Sequence, residues 1–218
     1  MSVRYTGYPS HRHIVRIIYL FLLLFLPAVL ISTNASYPNA VRNGITQRLE
    51  KGVFLVASRR MTDPRFRETV ILVTEHGEQG AIGIIVNRPM DIDMAEIFPD
   101  MESLKDHAMH PYIGGPIHPT FLSALVNTSH TQKDMSPVID GVFFGLGTGF
   151  VIDLISDMKK DDRLHVYFGY AGWTAGQLEM ELHRGDWYII KADTQAIFDK
   201  DPAGLWRDYI KQVSGIWL

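Results

Sequence analysis

The chain has no cysteine among its 218 residues. That removes disulfides, thiol catalysis, thiolate zinc sites and lipid attachment through cysteine, and leaves the redox compartment open. No internal repeat, low-complexity tract or Pro/Gly/Ser linker interrupts the sequence, so no second domain boundary is visible. Positive charge is scarce once residues 1–36 are set aside: they hold Arg4, Arg12 and Arg16 and no acid, leaving 18 basic against 24 acidic residues, a net charge of −6. Nucleic-acid affinity rests on Lys and Arg neutralising phosphates, so this acidic body argues against a nucleic-acid partner. Phosphate loops are missing too. Gly80-x-x-Gly83 and Gly145-x-Gly147-x-Gly149 lack the Lys-Ser/Thr ending, and the spacing of the dinucleotide fingerprint is not met. Ser123, Ser129 and Ser136 lack the Gly-x-Ser-x-Gly context of a nucleophile elbow.

What is present is a globular composition, 46% hydrophobic and 21% charged, of a length that suits one domain plus a leader. Arg12 and Arg16, with His11 and His13, precede an apolar run from Ile17 to Ile31, and Ser32 to Ser36 is a polar exit. This is the layout of a secretory signal. The run is at the upper end of the ~7–15 residues of such a segment and short of the ~20 of a comfortable membrane span. Thr33 and Ala35 suit cleavage after Ala35. The alternative is an uncleaved anchor that holds the protein to a membrane through residues 17–31. Either way the positive flank stays inside, so the body is expected outside the cytoplasm, periplasmic or membrane-anchored. The expected organisation is a leader over 1–36, a connecting segment over 37–46 and one domain over 47–218.

Within the body, Val53 to Ala57 reads as a strand, and Asp63 before Pro64 as the start of a turn or helical piece. Thr69 to Thr74 and Ala81 to Val86 read as a hairpin with a longer loop from Glu75 to Gly80. Asp93 and Glu96 form a capping box for a short helix over 94–98 that Pro99 helps to stop. Phe121 to Val126 is a further strand, followed by a polar loop from Asn127 to Ser136 and a strand over 141–145. A helix over 150–158 is expected to place Ile152, Ile155 and Met158 on one side. Leu164 to Tyr170 reads as a strand, Gly169 and Gly172 as positions where the backbone turns or approaches a neighbour closely, and Thr174 with Gln177 as the capping box of the next helix. Gly185 fits that helix's C-terminal cap, Trp187 to Ala192 a strand, and Asp201-Pro202 the start of a last helix.

Four segments together carry a resemblance. They are Lys51 to Ser58 running into Asp63 to Phe66, Gly80 to Pro89, Tyr112 to Pro116, and Phe168 to Leu182. In this order they resemble the YqgE/AlgH family over about Gln47 to Val213. The resemblance implies an α+β fold: a bifurcated sheet folded into a pseudo-barrel with peripheral helices. It also implies a bacterial protein that bears a transcriptional-regulator label, and a cytoplasmic location for family members without a leader. The signature residues Asn87, Arg88, Gly114, Gly115, Tyr170, Trp173, Gln177 and Glu179 are the binding residues it points to.

Their chemistry reads in two ways. The Asn87 amide can hold a turn, and the Arg88 guanidinium can pair with a carboxylate such as Glu179. Tyr170, Trp173 and Gln177 can line a groove or lock the pseudo-barrel, and locking is the reading preferred. Glu179 and His183, four apart on a helix, can form an acid–base pair, with Glu181 pointing elsewhere; a solvated i,i+4 pair is the plainer account. Glu75, His76 and Glu78 fall in the expected hairpin loop, and His107, His110 and His118 are scattered. No metal, cofactor or catalytic residue is assigned. The expectation is a non-enzymatic binding or regulatory module with a protein or small-molecule partner. The alternatives are a hydrolase using Glu179 and His183, or a transcriptional regulator.

Overall fold

Strand β1 (Val53–Ala57) is VFLVA, and all five residues are buried. A run this short with no polar face, bounded by Gly52 and Ser58, suits a strand covered on both sides. The computed structural model describes residues 48–104, 108–129 and 135–214. In it β1 lies between β2 (Val70–Gly77) and β9 (Trp187–Lys191), with Leu55 opposite both Ile71 and Ile189. The remaining described strands are β3 (Gly80–Ile85), β4 (Tyr112–Ile113), β5 (Ile117–Asn127), β6 (Ser136–Ile139), β7 (Val142–Leu146) and β8 (Arg163–Thr174). They join in the order β6-β7-β5-β8-β3-β2-β1-β9, with the short β4 added parallel to β8 and every other pairing antiparallel.

Strand β8 makes the fork. Its first part, to Tyr170, pairs with β5, and its last four residues pair with β3. At the crossover Gly169 has φ 69°, and a Cβ there would run into the carbonyl oxygens of Gly115 and Ile117. Glycine is required at this position by both conformation and space. The far end of the sheet curls back toward β1: Gly52 lies so close to β6 that an added Cβ would sit 2.7 Å from the Val138 carbonyl oxygen. The α+β, bifurcated pseudo-barrel follows from these two features.

Two apolar clusters flank the fork. One gathers Val53, Leu55 and Ala57 with Ile71, Ile85, Trp173, Leu178 and Trp187. The other packs Leu122, Ala124, Leu164 and Val166 against Val151, Leu154 and Ile155 of a helix, α2 (Thr148–Ser156). Each fully buried aliphatic side chain contributes about 1.5–3 kcal/mol relative to exposure. A capped turn of helix, α1 (Met94–Ile97), has its Asp93 and Glu96 box in place. The last helix, α5 (Pro202–Ser214), covers the second face of β1: Trp206 donates to the Ala57 carbonyl at 2.8 Å, and the Tyr209 ring lies 5.7 Å from that of Phe54.

Several expectations are corrected. Strand β2 continues to Gly77 through a bulge between Val73 and Glu75, so the hairpin loop is only Glu78 and Gln79, and Glu75 and His76 are strand residues. The buried stripe of α2 is Val151, Leu154 and Ile155, so of the expected side only Ile155 is buried; the helix runs from Thr148 to Ser156, and Met158 lies beyond its end, packed partly buried against the same cluster. β8 runs straight through Gly169 and Gly172 to Thr174, so neither glycine makes a turn. The next helix, α3 (Gln177–Arg184), is preceded by Gly176 in the left-handed region, with no side-chain cap. Thr174 is therefore not the cap; its N–H and hydroxyl donate to the Gln177 side-chain Oε1 at 3.1 and 3.2 Å. Strand β6 and a short helix, α4 (Thr194–Phe198), were not anticipated. The leader, the connecting segment, His107 and part of the 127–136 loop lie outside the described residues.

Candidate functional site

The turn after β1 is built locally. Asp63 accepts the Arg65 N–H at 2.9 Å and the Arg65 guanidinium at 2.7–3.2 Å, which folds the arginine back over the turn. The hydrogen bond to Arg65 lowers the Asp63 pKa from its ordinary value. From behind, Arg88 donates to the carbonyls of Arg65 at 2.5 Å and Arg67 at 2.9 Å. Asn87 grips the same stretch with both ends of its amide, accepting from the Val70 N–H at 2.8 Å and donating to the Glu68 carbonyl at 2.9 Å. A segment held at four backbone groups presents its outer face in one place.

Helix α3 forms the opposite side. It buries only Leu178, and it ends on Gly185 in the left-handed region. One turn in from that end, Glu181 Oε2 accepts the indole N–H of Trp173 at 2.9 Å and that of Trp187 at 2.8 Å. Its Oε1 accepts the Gln177 amide at 3.0 Å. One carboxylate thus joins the end of β8, the helix and the start of β9. The Phe66 ring completes an aromatic group, stacked on Trp173 at 6.5 Å and edge-on to Trp187 at 5.7 Å. Between the two sides lies a cleft of about 240 Å³. Its walls are the 61–63 and 65–66 parts of the turn, Pro116 and Ile117, the end of β8, one face of α3, and Asp186 with Trp187. Arg184 is tied to Asp186 at 2.7 Å, as Arg65 is to Asp63.

Of the residues the signature pointed to, Trp173 and Gln177 line this cleft. Asn87 and Arg88 are behind its wall. Arg88 meets backbone carbonyls there, which corrects the expected pair with Glu179. Glu179 bonds His76 Nε2 at 2.9 Å, pinning α3 to the β2–β3 hairpin. His183 is exposed on α3, so the anticipated Glu179–His183 pair gives way to a partner 103 residues away. Gly114 stitches β3 to β8, accepting from the Ile85 N–H at 2.8 Å and donating to the Phe168 carbonyl at 2.7 Å. Gly115 packs onto the Tyr170 backbone with no room for a side chain. Tyr170 is buried, with burial raising its phenol pKa, and its ring lies 6.0 Å from His118. His110 Nδ1 is 3.1 Å from the Ile92 carbonyl. Glu181, Trp187 and Phe66 were missed as site residues. The one available signal was the two tryptophans flanking an amphipathic helix.

A model of the AlgH-like family, DUF179, matches residues 54–217. A UPF0301 protein of Chlorobaculum tepidum is 33% identical over 172 residues, covering 77% of this chain and 88% of that one. A UPF0301 protein of Thiobacillus denitrificans is 35% identical over 152 residues, covering 68% and 82%. The solution structure of the AlgH protein from Pseudomonas aeruginosa aligns with a TM-score of 0.61 at 28% identity, over 76% of this chain and 89% of that one. The crystal structure of a Corynebacterium diphtheriae protein aligns with a TM-score of 0.61 at 22% identity, a likeness of fold alone. These names describe a family and state no reaction.

Proposed function

This chain belongs to the AlgH-like DUF179 family, and from that premise we propose that it is a non-enzymatic binding or regulatory module whose working surface is the cleft between the 61–66 turn and α3. The observation that supports this reading is the braced geometry of the cleft: polar groups of Glu181, Gln177, Asp63 and Asp186 converge on a small space, and Asn87 and Arg88 hold its wall from behind. Preorganised polar groups over an apolar floor suit recognition. The hydrolase alternative loses its motive, because Glu179 is engaged by His76 and not His183. A transcriptional role through direct DNA contact fits poorly with the −6 body; regulation on this reading works through a protein or small molecule. A photo-crosslinking residue in place of Thr62, exposed at the lip of the cleft, is expected to give a discrete adduct in the native host that the same residue at the exposed Asp161 does not. Identical adducts at both positions, or none at Thr62, would refute the cleft as the working surface.

The placement proposed for the domain is outside the cytoplasm, on the strength of the Arg12 and Arg16 flank and the apolar run over 17–31. Among the described residues no helix is long and apolar enough to cross a membrane. A fusion of residues 1–40 to a reporter active only after export should give signal; activity confined to a cytosolic reporter would overturn the placement.

A further inference from the structure

We propose that the occupant of the cleft is a single alkylammonium group, a lysine side chain or a small primary amine, bound through Glu181. The inference rests on the cleft being the binding surface and adds the chemistry of what enters it. Size comes first. At about 240 Å³ the space is smaller than the 300–1,000 Å³ of pockets that enclose whole drug-sized ligands, so it suits one side chain or a molecule of that size.

Charge decides the sign. The lining residues carry three carboxylates, Asp63, Glu181 and Asp186, against two guanidiniums, Arg65 and Arg184. Each guanidinium is already paired with the aspartate two positions away from it. In both arginines the Nε/Nη2 edge is held by its own aspartate, which balances the guanidinium charge locally, and the carboxylate with no such one-to-one partner is Glu181. An ionised carboxylate has about four acceptor sites. Trp173 and Trp187 take two on Oε2 and Gln177 takes one on Oε1, so one site on Oε1 remains for a donor from the ligand. The groups that hydrogen-bond Glu181 are neutral, so they fix its position without taking up its charge; Arg184 feels that charge but is hydrogen-bonded to Asp186, which leaves the lining one negative charge in excess. The half-buried apolar side chains of Met61, Phe66 and Ile117 in the same walls suit a methylene stem behind the ammonium head.

The full-length chain with 15N-labelled indoles reports directly, since two of the indole N–H groups are bonded to Glu181. Titration with n-butylammonium should shift the Trp173 and Trp187 indole resonances saturably, and n-butyrate should not. Glu181→Gln, which keeps a carbonyl acceptor for both indoles, should weaken butylammonium binding at least about tenfold. An acetylated Gly-Lys-Gly amide separates the two sources: tighter binding than butylammonium points to a lysine of a partner protein, equal or weaker binding to a free amine. Saturable shifts with butyrate alone would overturn the cationic occupant and leave the cleft as a binding surface. Shifts with neither probe would overturn both readings, and undiminished butylammonium binding by Glu181→Gln would overturn the role given to that carboxylate.

Discussion

Replacing Trp173 by alanine is expected to cost about 3–5 kcal/mol of stability, the usual range for removing a large buried aromatic ring. The indole is 4% exposed, stacks on Phe66, meets Trp187 edge-on at 6.2 Å and bonds Glu181. The substitution opens a cavity at the end of β8 and deprives Glu181 of a donor. For a domain of this size the midpoint of thermal unfolding should fall on the order of 10 °C. Glu179→Gln supplies the contrast. Its partnership with His76 joins side chains 27% and 21% exposed, so its loss should cost under about 1 kcal/mol. Denaturant unfolding of the two variants checks the pair, and a Trp173→Ala cost as small as that of Glu179→Gln would contradict the locking role of the indole.

Acidification should remove a second large increment through His165. The ring lies against Tyr112 at 4.7 Å and Phe198 at 4.9 Å, with the Tyr167 hydroxyl 3.5 Å from Nδ1. Burial, with a smaller contribution from the Arg163 charge, lowers its pKa to about 4. An unfolded histidine titrates near 6.5. Between these values the unfolded chain binds the proton and the folded chain does not, so stability rises with pH across that window. The contribution is complete above about pH 6.5 and is lost as pH falls through 4; a shift of this size corresponds to about 3 kcal/mol. Carboxylates add their own slope, so the measurement is the difference between wild type and His165→Phe in unfolding free energy from pH 7 to pH 4. Parallel curves for the two proteins would show that His165 contributes nothing to the acid sensitivity.

Local signals read from the sequence survive where the relevant partner is close in the chain. The capping box at Asp93 and Glu96, the C-terminal Gly185 and the apolar run of β1 are determined by neighbours within a turn or a strand, and each is found in place. One local signal fails, the capping box read at Thr174 and Gln177, where Gly176 precedes the helix instead; the other failures are tertiary. Gly169 and Gly172 read equally as a turn or as a close approach, and only the packed sheet selects the second, Gly169 against the carbonyls of Gly115 and Ile117 and Gly172 beside the Ile117 side chain. Glu179 found His76 across 103 residues, which no helical spacing encodes. Glu181 points away from the face that Glu179 and His183 share, and its two indole partners come from strands on either side of the helix. Asn87 and Arg88 were recognisable as a signature, but their task of bracing the 61–68 stretch is visible only once β3 brings them beneath it.

The fork at β8 also governs how the protein comes apart. A strand that serves as the pairing edge for β5 over one part and for β3 over the rest belongs to both sheets, so neither sheet has a hydrogen-bonded border along which it can detach alone. Opening events that expose amides tend to follow such borders. Their absence along β8 makes the two halves a single cooperative unit, in which slow exchange at Val166, deep in one sheet, and at Ala171, in the other, is set by the same global unfolding.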